Sequence, residues 1–213
     1  MHMMKNILAL AAVTITFIAC ESKTQKLPII GERDVVEKVV DGKTVVDTVY
    51  AAIPEFEFLN QDSTLISDKD FDNKIYVANF FFTHCPSICP TMQRNVLKAY
   101  QKYKGNAGVA FLSHSIDFKY DQPHILKSYA TKLGVDNDQW QFVTGSKSAI
   151  YGISDKYLVF TKEDENVPGG YDHSGYLVLI DHNKYIRGVY DGTSEEETEK
   201  LMKDMDILLA EYK

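Results

Sequence analysis

The chain has 213 residues, of which 45% are hydrophobic and 12% aromatic. This is enough for one domain with a packed core, and it excludes a disordered chain. The formal net charge is −7 and no run of basic residues occurs, so we expect no nucleic-acid partner. The only cysteines are Cys20, Cys85 and Cys89, and their placement narrows the class of function.

Residues 1–19 are predicted to be a signal peptide. Lys5 precedes the apolar stretch Ile7 to Ile18, which is shorter than the about 20 residues of a membrane-spanning helix. The pair Ala19-Cys20 is similar to the cleavage site of bacterial lipoproteins, so Cys20 is predicted to carry a lipid and residues 20–33 to form a tether. The alternative is an ordinary signal peptide with an incidental cysteine. We therefore expect a domain outside the cytoplasm, anchored by lipid to a membrane of a bacterial cell envelope.

Residues 34–53 are predicted to form a β-hairpin. Two valine-rich segments flank Asp41-Gly42, a dipeptide that suits a two-residue turn because both turn positions need positive φ. The hairpin is an N-terminal addition to the domain predicted at residues 54–213.

Strands and helices alternate along that domain, after a short hairpin that begins near Phe56. The apolar, β-favouring segment 74–83 is predicted to be a central strand buried on both faces. Further strands are predicted at 108–117, 140–145, 174–181 and 184–192, with a loop at 163–172. Helices are predicted to begin within 85–90 and to end at Gly105, to cover 122–134 and 146–158, and to begin after Ser194. This order indicates an α/β, thioredoxin-like sheet with parallel neighbours and an antiparallel edge.

Cys85 and Cys89 follow the buried strand, and each precedes a proline. With Pro86 in the first turn, the helix would hold both sulfurs on one face, and its dipole would lower the thiol pKa. A structural disulfide across so short a loop contributes only about 2 kcal/mol. The pair is better explained by a redox disulfide or by a soft metal ion such as Cu(I).

His173 is the histidine that best fits a third ligand. It precedes a predicted strand, and loops at strand ends converge on one rim of an open sheet. A third ligand would extend binding to Cu(II), and Asp172 could orient the ring. His84 is predicted to be a surface residue that tunes the thiol, and His114 to have a core or surface role.

Four segments, FFFTHCPSICPTM, FLSHSIDFKYDQPHIL, FVTGS and YDHSGYLVLID, resemble the Sco/SenC family in order and spacing. The resemblance implies a thioredoxin-like, membrane-anchored protein that binds copper through Cys85, Cys89 and His173. It also implies a partner, the copper-bearing subunit of cytochrome c oxidase or another cuproprotein. The family's D-x-x-x-D element matches Asp117 and Asp121, which either act behind the ligands or at a partner surface, or form turns and caps.

Two functions are consistent with these residues. The first is a copper metallochaperone, which the resemblance implies would assist copper-site assembly in cytochrome c oxidase. The alternative is a thiol-disulfide oxidoreductase for exported or respiratory-chain proteins, with Cys85 and Cys89 as its redox pair. A thiol peroxidase is discounted. Such an enzyme would need a threonine three positions before its reactive cysteine, whereas Thr83 lies two positions before Cys85.

Overall fold

The computed structural model describes residues 26–212. The predicted signal peptide and the lipidation site at Cys20 lie outside the described residues. Within the described part, the strands are β1 (Arg33–Val40), β2 (Lys43–Tyr50), β3 (Glu57–Asn60), β4 (Leu65–Ser67), β5 (Ile75–Phe81), β6 (Val109–Ser115), β7 (Trp140–Thr144), β8 (Thr161–Glu163), β9 (Tyr171–His173), β10 (Tyr176–Ile180) and β11 (Ile186–Asp191). The α-helices are α1 (Cys89–Tyr103), α2 (Pro123–Leu133), α3 (Lys147–Lys156) and α4 (Glu195–Glu211).

Seven strands form the central sheet, in the order β11-β10-β5-β6-β7-β3-β4. Strands β5, β6 and β7 are parallel, while β10 and β3 run antiparallel to their neighbours β5 and β7. Every residue of β5 is buried, as expected for a strand covered on both faces. The α/β, thioredoxin-like prediction is confirmed.

Helices cover both faces of this sheet. Tyr100 of α1 packs against Phe111 and Trp140, and Tyr129 of α2 packs against Phe81 on the same face. Tyr157, at the end of α3, packs on the opposite face against Tyr76, Phe80 and the buried His114. The carboxyl ends of β5 and β6 therefore lie together at one end of a packed core.

The N-terminal hairpin stands apart from the central sheet. Strands β1 and β2 pair only with each other in the described part of the chain, around Asp41 and Gly42, whose φ values are 51° and 73°. The last part of the predicted tether lies against the domain, because Ile30 pairs with Ile186 and Leu27 packs on the core.

Two predictions about local structure are wrong. Helix α1 begins at Cys89 and not near Cys85. The segment predicted as a loop at 163–172 instead ends in β9, which pairs with β8 in a separate two-stranded sheet. His173 therefore lies on a short strand. Among residues 26–212, no helix combines the length and the apolarity that a membrane crossing requires.

Candidate metal centre

The position of Pro90 explains where α1 begins. In a helix starting at Cys85, Pro90 would lie in the interior, where it would leave one backbone bond unmade and clash with a preceding carbonyl. In the structure Pro90 lies in the first turn, where its missing N–H costs nothing. The carbonyl of Ile88 accepts hydrogen bonds from the backbone N–H groups of Thr91 and Met92. Cys85 lies in the preceding turn, where its N–H donates to the carbonyl of Phe82 at 3.3 Å.

The structure brings Cys85, Cys89 and His173 together. The Sγ atom of Cys89 lies 3.4 Å from Nε2 of His173, and the candidate ligand atoms of the three residues all lie within 4.8 Å of one another. Each side chain is at most 7% exposed. The site therefore lies just below the surface, at the end of the sheet where β5 leads into α1.

The ring of His173 is oriented by a backbone carbonyl and not by Asp172. Its Nδ1 lies 3.4 Å from the carbonyl oxygen of Ser174, and the ring packs edge-to-face with Phe82 at a centroid distance of 6.0 Å. Because side chains alternate along a strand, Asp172 of β9 points to solvent while His173 is buried. With the proton on Nδ1, the lone pair of Nε2 is directed at the sulfur of Cys89.

Cys85 and Cys89 are both free thiols, and each changes the pKa of the other. A hydrogen bond from Cys89, reinforced by His173 and Ser87, lowers the pKa of the Cys85 thiol. The hydrogen bond to Cys85, together with burial, raises the pKa of Cys89. Cys85 is therefore the sulfur that ionises first, as a metal ligand or an attacking thiolate must.

Asp121 holds the end of β5 in place beside the cysteines. Its buried carboxylate accepts a hydrogen bond from the backbone N–H of Thr83 at 2.9 Å, another from the Thr83 hydroxyl, and a third from Ser115 at 2.6 Å. Burial raises the pKa of Asp121, and these hydrogen bonds oppose that effect. Asp121 does not cap α2, whose N-terminus at Gln122 has no side-chain cap.

Asp117 links three segments around the site. Its Oδ1 accepts from the N–H of Tyr120 and from the hydroxyl of Tyr171, each at 3.0 Å. Its Oδ2 lies 3.6 Å from Nε2 of the half-exposed His84. Asp117 thus stabilises the turn at Tyr120, and its bond to Tyr171 connects β9 to that turn. Neither Asp117 nor Asp121 belongs to the group of candidate metal ligands.

The turn between β8 and β9 reaches back to the cysteine segment, a contact that the sequence reasoning missed. Gly169 has a φ of +89°, and a Cβ placed on it would lie 2.8 Å from the Phe82 ring and 3.1 Å from Pro86. The consecutive glycines at 169 and 170 were the sequence signal for such a close approach. This contact packs the turn that precedes the strand of His173 against the segment that contains the two cysteines.

The donor set fits a soft metal ion. Metal–sulfur bonds of about 2.3 Å and metal–nitrogen bonds of about 2.0 Å place ligand atoms roughly 3.5–4 Å apart, close to the separations observed. Two thiolates select Cu(I), and an imidazole is also a ligand for Cu(II). A closed structural zinc site needs four ligands, and the group found among the described residues has three.

Comparisons with known proteins point to one family. The sequence profile of the SCO1/SenC family matches residues 47–209. A SCO1/SenC family lipoprotein from Bacillus anthracis is 32% identical, with a TM-score of 0.68 over 74% of this chain and 95% of its own. BsSco, described as a cytochrome c oxidase assembly protein with a disulfide switch, is 27% identical, with a TM-score of 0.62 over 72% of this chain and 92% of its own. Arabidopsis thaliana ScoI with copper bound shares the fold, with 23% identity and a TM-score of 0.62 over 73% of this chain and 99% of its own.

Proposed function

The chain belongs to the SCO1/SenC family, and we propose that it is a copper metallochaperone in which Cys85, Cys89 and His173 hold the ion. The observation that carries this proposal is the convergence of two sulfurs and one imidazole nitrogen within 4.8 Å. Copper is the cargo of such a protein, so the site must both bind it and release it.

The construction of the site suits transfer. The ligands are shielded from bulk water, yet Pro86 and Ser87, which connect the two cysteines, are exposed. A metal ion with three ligands can accept a fourth ligand from a recipient protein before the bonds to Cys85, Cys89 and His173 break. The recipient in this proposal is the copper-bearing subunit of cytochrome c oxidase or another cuproprotein. Support comes from BsSco, which is described as an assembly protein of that oxidase.

The proposed location is a membrane of the bacterial cell envelope, reached by export and held by a lipid on Cys20. The support is the sequence around Ala19 and Cys20, and the B. anthracis relative, which is described as a lipoprotein.

A second candidate function is thiol-disulfide exchange, favoured by the free thiols and the lowered pKa of Cys85. The Cys85 thiolate would attack a substrate disulfide, forming a mixed disulfide and releasing one substrate thiolate. Cys89 would then displace the second, leaving a Cys85–Cys89 disulfide and a reduced substrate. A reducing thiol partner would have to restore the pair. The relative BsSco is described as having a disulfide switch.

Replacement of His173 by alanine separates the two functions. After complete thiol reduction, the wild-type chain should retain one copper ion, while His173→Ala should lose Cu(II) binding and much of its Cu(I). Metal analysis after gel filtration measures the stoichiometry, and Asp172→Ala is the matched control because its side chain is exposed. Unchanged copper retention in His173→Ala, or robust exchange activity without copper retention in the wild type, would contradict the carrier proposal.

A further inference from the structure

The hairpin β1–β2 exposes an unusual amount of apolar side chain. Its most exposed valines are Val35 (68%), Val39 (74%), Val40 (52%), Val45 (46%), Val46 (63%) and Val49 (45%). A two-stranded hairpin is marginally stable alone in water. Exposed strand edges rich in valine are also sites where another strand adds. Within residues 26–212 no third strand pairs with β1 or β2, so the edge of this hairpin is open to a strand from a partner.

The backbone bonding shows which groups of β1 are free. The N–H of Ala51 donates to the carbonyl of Glu32 at 2.9 Å, just outside the paired segment. Because hydrogen-bonded positions alternate along an antiparallel pair, the even-numbered residues of β1 bond to β2. The outward-directed N–H and C=O groups consequently belong to Arg33, Val35, Glu37 and Val39, along an edge that no other described strand pairs with.

This edge is complementary to itself. Antiparallel pairing of two copies of β1, centred on Val36, places Val36 opposite Val36 and Asp34 opposite Lys38 of the other copy. The two-fold symmetry repeats the Asp34–Lys38 pair, so all four charges have partners. In the monomer the ammonium group of Lys38 already bonds Asp47 at 2.6 Å. Asp34 of the other copy would therefore approach Lys38 from the side that faces away from β2. The alternative is pairing between two copies of β2 along its outer edge. A register that places Lys43 opposite Asp47 of the other copy would join fewer residues than the β1 pairing, because β2 begins at Lys43, directly after the turn.

We propose that β1 pairs antiparallel with β1 of a second copy of this chain, forming a four-stranded sheet across a two-fold axis at Val36. The hairpin joins the domain where the N–H of Ile53 donates to the carbonyl of Lys184, in the turn between β10 and β11. That turn is at the end of the sheet opposite the metal centre, so both metal centres stay uncovered in the dimer. The proposal stands independently of the metal carried.

Disulfide trapping of Val36→Cys tests this pairing. Residues opposite each other at a non-hydrogen-bonded position have Cα atoms about 4.5 Å apart, within the range that a disulfide bridges. The full-length chain carrying Cys85→Ser and Cys89→Ser is purified in mild detergent, checked for folding by circular dichroism and oxidised with diamide. Peptide mapping by mass spectrometry should then find a disulfide that joins position 36 of one chain to position 36 of the other.

Val45→Cys is the matched control. It lies on β2 of the same hairpin, and in the proposed sheet the two copies of β2 are separated by three strand spacings of about 4.8 Å. The linked fraction should be several-fold higher for Val36→Cys, and adding Asp34→Lys to Val36→Cys should lower it several-fold. Equal linkage at positions 36 and 45, no linkage at position 36, or no effect of Asp34→Lys would each overturn the proposal.

Discussion

Asp121 shows how one buried side chain determines the geometry of a site that it does not touch. Its carboxylate accepts three hydrogen bonds from Thr83 and Ser115. In Asp121→Asn, the side-chain NH₂ group would face one of these donors. That buried donor would lose its acceptor, which costs about 1–3 kcal/mol. We therefore expect a lower free energy of unfolding in urea and weaker Cu(I) retention against a chromophoric chelator, because the segment leading to Cys85 loses its fixed position.

Asp172→Asn serves as the comparison for this prediction. It makes the same chemical change beside His173, at an exposed side chain, so its effect on stability should stay within about 0.5 kcal/mol. Similar losses in the two variants would show that charge near the site, and not the hydrogen bonds of Asp121, is what matters.

His114 predicts how stability depends on pH. Burial lowers its pKa from 6.5 to about 3, and among the described residues neither ring nitrogen has a hydrogen-bond partner. Between these two pH values the unfolded chain binds a proton that the folded chain does not. Folded stability should therefore fall as the pH is lowered below 6.5, by about 1.4 kcal/mol per pH unit from this group.

His114→Phe isolates that contribution. The ring stacks on Phe80 at a centroid distance of 4.6 Å, so phenylalanine is a close match in shape and cannot be protonated. Urea unfolding of both proteins between pH 7 and pH 4 should give a shallower pH dependence for the variant. Parallel curves would mean that His114 is protonated in the folded protein.

At the scale of elements, the small β8–β9 sheet positions His173. Gly169→Ala and Gly170→Ala both place alanine at a positive φ, but only Gly169 has Phe82 and Pro86 where a Cβ would be. The two variants share the backbone strain and differ in the clash. Gly169→Ala should therefore displace the turn and reduce copper retention several-fold more than Gly170→Ala, as measured by chelator competition. Equal losses would assign the effect to backbone strain alone.

The elements that the sequence predicted well are those with a strong local signal. Strand β5 is an apolar run broken only by Asn79, α2 has Pro123 at its start and Gly134 after its end, and the N-terminal hairpin has an Asp-Gly turn. The predicted beginning of α1 is wrong because a helix that starts at Cys85 and Pro86 would contain Pro90 in its interior. Strands β8 and β9 have three residues each. Three residues are too few for a periodic pattern, so the sequence does not predict that these strands pair.

The three residues of the candidate centre were predicted from their types and positions, and from the family resemblance. What holds them was not predictable, because it depends on contacts between distant segments. The hydrogen bonds of Asp121 to Thr83 join residues 38 positions apart. The carbonyl of Ser174, which orients the His173 ring, carries no sequence signal, since every residue has a carbonyl.

At the scale of the whole molecule, Arg187 ties both ends of the described chain to the sheet. This buried guanidinium bonds Asp181 at 2.9 Å, Glu211 at 2.8 Å and the carbonyl of Leu27 at 2.6 Å. Arg187→Ala would leave two carboxylates without their cation in the interior, a loss of about 3–5 kcal/mol. Lys98→Ala removes the exposed pair with Glu195 and should cost less than about 1 kcal/mol. Thermal unfolding compares them, and a similar loss in both would mean that water reaches the Arg187 cluster.

The same clamp fixes which end of the domain lies nearest the N-terminal end of the described chain. The chain enters the domain beside Ile186, at the start of β11, while His173 and the cysteines lie beyond the opposite end of the sheet. The seven residues of β5, rising about 3.3 Å each, separate the two ends by roughly 20–25 Å. If Cys20 is the anchor, the residues up to Leu27 hold the clamped end within about 25 Å of the bilayer. The copper would then face outward, so exchange would favour recipients whose acceptor site projects above the membrane surface.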